Sequence, residues 1–126
     1  MMASKRLWIT FMIAICVLIA TTGNCWDEFV VSPADQSQQR PDISGTVVVW
    51  QQSAVTGDFD IHAADISDLG DIQQVVIAEF DNDQVNPAIF ENKIVWQDFV
   101  ETDFDIYGAD ISNFSEPVLF VVSETF

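Results

Sequence analysis

The chain has 126 residues, with 20 Asp and Glu against 4 Lys and Arg, and a formal net charge of −16. That balance argues against nucleic acid and against an anionic membrane surface, because both are held by clustered Lys and Arg. A hydrophobic content of 49% is too high for a disordered acidic tail, so a buried core is expected.

Residues 1–24 read as a signal peptide, expected as a helix ahead of the fold. Lys5 and Arg6 supply the charged start, Leu7 to Ala20 is an unbroken apolar run, and Thr21, Thr22 and Gly23 are the small residues that precede cleavage. The run of 14 residues spans about 21 Å as a helix, short of the roughly 30 Å hydrocarbon core, which weighs against a retained anchor. Lipidation of Cys25 is a third reading, for which Asn24 is a poor neighbour. Cys16 lies inside the signal, so the mature chain keeps one cysteine and no internal disulfide, in an oxidising compartment. Cleavage leaves only Arg40 and Lys93 against all 20 acidic residues, a net charge of −18. The expected location is secreted, cell-surface or periplasmic, with no membrane contact after cleavage.

Residues 25–40 form a linker in which Phe29-Val30-Val31-Ser32 reads as an orphan outer strand. Two copies of one unit follow, over 41–82 and 83–126. Pro41-Asp42-Ile43 recurs as Pro87-Ala88-Ile89, and Val48-Val49-Trp50-Gln51 as Ile94-Val95-Trp96-Gln97, both at an offset of 46. The stretch from Asp58 to Ser67 recurs from Asp103 to Ser112 at an offset of 45. The residue lost between these blocks places a surface loop there, since loops tolerate length changes and strands do not. Strands are expected near 42–44, 46–52, 59–66 and 73–79, then near 87–90, 93–99, 104–111 and 117–123. Four short strands per period of about 45 residues is the pattern of a β-propeller blade. The expected fold is all-β: two four-stranded antiparallel blades of an incomplete propeller.

The motifs Gln84-Val85-Asn86-Pro87-Ala88-Ile89, Ile94-Val95-Trp96-Gln97-Asp98 and Asp103-Phe104-Asp105-Ile106-Tyr107-Gly108-Ala109-Asp110 resemble the repeats of TolB-like (WD-like) β-propeller proteins. The first unit departs from the pattern at Gln52, His62 and Ala63. The resemblance covers nearly everything from Phe29 onward and implies a blade type, a type that serves several functions. Two blades cannot close a ring, so either the chain is a fragment or copies assemble, the orphan strand completing a neighbour's sheet.

Candidate chemistry is sparse. Asp98, Asp103 and Asp105 are hard oxygen donors that suit Ca²⁺, although Asp103 and Asp105 share one strand face, as solvated carboxylates also do. No calcium-loop motif accompanies them. Paired carboxylates also suit a glycosidase, but two blades enclose no deep pocket. His62 is the only histidine, which weighs against zinc, and no G-x-S-x-G elbow occurs. Trp50 and Trp96 repeat at one position, which favours packing over sugar stacking. The expected function is a non-catalytic interaction scaffold without a cofactor, its partner a protein or carbohydrate of unknown identity. A Ca²⁺-stabilised binding module and the remnant of a propeller enzyme are the alternatives.

Overall fold

The computed structural model describes residues 28–123, so the expected signal segment, both cysteines and the last three residues lie outside the described residues. Eight strands follow in chain order: β1 Gln38–Ser44, β2 Val47–Ser53, β3 Phe59–Asp65, β4 Gln73–Ala78, β5 Gln84–Phe90, β6 Lys93–Val100, β7 Asp103–Asp110 and β8 Val118–Ser123. They make two four-stranded antiparallel meanders, β1-β2-β3-β4 and β5-β6-β7-β8. The fold is all-β, and the described residues contain no helix. The sequence repeat is a repeat of register. Trp50 pairs with His62 as Trp96 pairs with Tyr107, and Val49 with Ala63 as Val95 with Gly108. The length change falls in the β2–β3 connection, a loop over 54–58 where β6 and β7 are joined by the turn at 101–102.

The first strand of each sheet starts earlier than its apolar residues suggest. Both β1 and β5 carry a register shift, between Gln39 and Asp42 and between Val85 and Ala88. Arg40 (φ 54°) and Asn86 (φ 55°) adopt left-handed backbone just before Pro41 and Pro87. Proline cannot donate to a ladder, so a bulge absorbs it and pairing resumes on its far side.

Alternation then decides what packs. In the first sheet Val49, Ile61 and Ala63 are wholly buried and join Ile89, Ile94, Trp96 and Ala109 of the second in one hydrophobic cluster. Strand β5 lies against β1, β2 and β3. Backbone amides of β5 and of Glu91 just after it are met by side chains of the first sheet. Asn86 N donates to Gln51 Oε1 (2.9 Å), Ile89 N to Asp42 Oδ2 (2.9 Å), and Glu91 N to Ser44 Oγ (2.8 Å). The other oxygen of Asp42, Oδ1, accepts from Ile43 N at 2.9 Å. One carboxylate thus serves the same amide position in both repeats.

The outward faces differ. On the second sheet Phe90, Val95 and Phe120 stay exposed at 75%, 36% and 37%. Over the first sheet lies the chain before β1. Val31 O accepts from Gln74 Nε2 (3.0 Å) and Ser32 O from Gln38 Nε2 (3.3 Å), roofing an apolar cavity of about 250 Å³ beside Val48 and Trp50. The segment Phe29–Ser32, expected as an outer strand, is not a strand. Its sequence counterparts Val75–Ala78 pair with β3, and the described residues hold no equivalent strand for it to pair with.

Candidate functional site

Each sheet carries a cavity at the end where its second and third strands are joined, and the two are repeat equivalents. The first, about 310 Å³, is lined by Gln52, Ser53, Asp60, His62, Val76 and Glu79 among others. The second, about 430 Å³, has Phe80, Asn82, Asp98, Phe99, Glu101 and Tyr107 in its wall. Gln52 and Asp98, Ser53 and Phe99, and His62 and Tyr107 are matched positions.

Behind both cavities sits the same polar scaffold. In the first sheet Trp50 stacks on His62 with centroids 5.8 Å apart, and its Nε1 donates to Gln52 Oε1 at 3.3 Å. Gln38 Nε2 reaches that oxygen too, at 3.4 Å. In the second sheet Trp96 stacks on Tyr107 at 6.5 Å, and its Nε1 donates to Asp98 Oδ2 at 3.2 Å. Gln84, wholly buried, also hydrogen-bonds Asp98 and holds the preceding connection, donating to Asn82 O at 3.0 Å. Strand alternation places these groups: positions 50 and 52, and 96 and 98, are two apart on one face. The tryptophans are therefore packing and hydrogen-bonding posts behind the cavities.

The charges settle differently in the two sheets. Asp98 is 4% exposed, and burial pushes its carboxyl up, opposed by the bonds from Trp96 and Gln84, with Asp105 adding repulsion. Asp60, the counterpart of Asp105, is 6% exposed and pushed up to about 6, first by burial, then by the charges of Asp58 and Glu79. Burial holds His62 below its ordinary value, against the pull of Glu79, so it is neutral at pH 7 and gives Asp60 no positive partner.

Of the three aspartates put forward for Ca²⁺, the structure sets Asp98 opposite Asp105 across β6 and β7. Asp103 lies further along, opposite Val100, and its Oδ1 turns back to accept from the Phe104 amide at 2.8 Å. Among the described residues, no three His, Cys, Asp or Glu side chains come together as a group that could hold a metal ion. In sequence Asp58, Asp60 and Asp65 belong to one recurring stretch and nothing singles out Asp60, which alone of the three lines the cavity. The signal that could have found it is the mismatch at Gln52: where the second sheet sets two carboxylates opposite each other, the first sets a carboxylate opposite an amide. No family model, curated protein or solved structure matches the chain.

Proposed function

We propose that the two sheets are β-propeller blades of the TolB-like type and that the chain is a non-catalytic interaction scaffold, exported by its amino-terminal segment to the periplasm, cell surface or medium. The observation that carries this reading is the outward face of the second sheet, where Phe90, Val95 and Phe120 lie bare while the matched face of the first sheet is buried against β5. An apolar sheet face of this kind is a contact surface for a protein partner or for another blade. The register-matched repeat and the shared core support the blade assignment. A second copy is a demanding occupant. By repeat equivalence it would meet the Val31–Ser32 segment where a preceding outer strand belongs, so that segment must move first.

The test is V95D in the full chain, read by Nile red binding and light scattering at micromolar concentration. Nile red is neutral and is not repelled by the acidic surface. The wild type is expected to bind the dye or self-associate. V95D should abolish this while shifting the melting temperature by less than about 3 °C. Unchanged dye binding together with a core-like loss of stability would make the face structural and end this reading.

A further inference from the structure

We infer that the cavity at the hairpin end of the first sheet is a binding site for an organic cation, an ammonium or guanidinium group held by Asp60. This goes beyond the scaffold reading and does not rest on it. Asp60 is nine-tenths buried, lines the cavity, and accepts no hydrogen bond from any described residue. No fully buried side-chain oxygen among the described residues lacks a partner, so the Asp60 carboxylate opens onto the cavity, and a carboxylate in such a recess is ordinarily paired. In the second sheet the matched position, Asp105, is partnered, and Asp98 across from it takes Trp96 and Gln84. In the first sheet the equivalent indole and amide donors go to Gln52, the counterpart of Asp98, so they serve the same position in both sheets and neither reaches Asp60. The charged groups that act on Asp60 are the negative Asp58 and Glu79, the ring of His62 in the same wall is uncharged, and the amide of Gln52 lies opposite.

The composition of the walls selects the class of ligand. A divalent metal needs more oxygen ligands than converge here, since no three-residue set of metal donors forms among the described residues. An ammonium or guanidinium head needs one or two carboxylates for its N–H groups and an apolar wall for its methylenes. Asp60 and Glu79 supply the first, and Val55 and Val76 the second, in a cavity of about 310 Å³. The head has two possible sources, a free small amine or the basic side chain of another macromolecule. Their chemistry at Asp60 is the same.

The experiment titrates the full chain at low ionic strength with butylguanidinium and with a capped Gly-Arg-Gly peptide, by calorimetry at pH 7 and pH 6. Saturable binding is expected. D60N should weaken it at least about tenfold, the loss of one charge-assisted hydrogen bond, and E79Q should weaken it less. D71N, which removes an exposed charge beyond the far end of β3, should leave it within twofold. At pH 6 binding should release about half a proton, seen as a buffer-dependent heat in the wild type and absent in D60N, as the cation displaces the proton that burial, Asp58 and Glu79 hold on Asp60. Binding by the small ion but not the peptide marks a site for free amines, and binding by both marks a socket for a partner's basic side chain. Failure of both probes to saturate overturns the proposal. So does equal loss in D60N and D71N, which would reduce the effect to the general acidity of the chain.

Discussion

Gly108 and Phe120 test whether the two sheets are packed by one rule with matched exceptions. They pair across β7 and β8, where the first sheet pairs Ala63 with Val75. A Cβ on Gly108 would stand 2.5 Å from the Cε2 and Cζ atoms of Phe120 and 3.0 Å from Ile94 O. Ordinary carbon contacts are about 3.5–4.0 Å, so G108A must push the ring outward by about 1 Å. Phe120 is 37% exposed and has room to swing, which holds the overpacking cost near the lower half of the usual range of about 1–3 kcal/mol. Replacing a strand glycine by alanine returns about 0.5–1 kcal/mol, because the unfolded chain loses freedom. The net expectation is destabilisation by about 1 kcal/mol for G108A alone. In F120V, which imports the first sheet's partner, the same change should stabilise by about 0.5–1 kcal/mol, giving a coupling of about 2 kcal/mol. Urea unfolding of the wild type, both single variants and the double variant measures it. A G108A variant as stable as the wild type, or effects that add to within about 0.5 kcal/mol, would refute the matched-pair account.

Asp42→Ala removes the acceptor shared by Ile43 N and Ile89 N, and should cost about 2 kcal/mol and lower the melting temperature by about 10 °C. Asp42→Asn keeps one carbonyl oxygen and should lose about half as much. Asp60 has a folded value of about 6 against 3.8 as its ordinary value, so the folded state holds the proton more tightly and ionisation costs stability as pH rises through that window. D60N should therefore melt higher than the wild type at pH 8, by about 1–2 kcal/mol, and the difference should close below about pH 4. Parallel melting curves across pH would contradict this. Trp96→Phe deprives buried Asp98 of a donor and should cost about 2–3 kcal/mol, while Trp50→Phe, whose acceptor is the neutral amide of Gln52, should cost about 1 kcal/mol less, as chemical unfolding will show.

Strand positions were legible because Trp50 and Trp96 sit in copies of one pattern, and a repeat in sequence becomes a repeat in register once alternation is imposed. Offsets of 46 and then 45 located the β2–β3 loop for the same reason. What stayed hidden is tertiary. Strands β1 and β5 run through Pro41 and Pro87 because Arg40 and Asn86 bend the backbone into the left-handed region, and arginine there is no conformational signal. Phe29–Ser32 has strand-like composition but joins no ladder among the described residues, since pairing needs a neighbour and composition alone does not supply one. The cavity beside Asp60 is tertiary as well, and Asp58, Asp60 and Asp65 look alike until Asp60 alone of the three is seen in its wall with Glu79 and His62.

The joint between the sheets carries an unequal tolerance to mutation. On the β5 side it is read through the amides of Asn86, Ile89 and Glu91, and every residue but proline offers an amide. On the other side it is read through the side chains of Gln51, Asp42 and Ser44, each of which few residues can replace. In a saturation library scored for folding, exposed positions of β5 such as Ala88 and Phe90 should therefore accept most substitutions other than proline. Positions 42, 44 and 51 should accept few. Differences between the two repeats would then collect on one strand, as where Ala88 and Phe90 stand at the positions of Asp42 and Ser44.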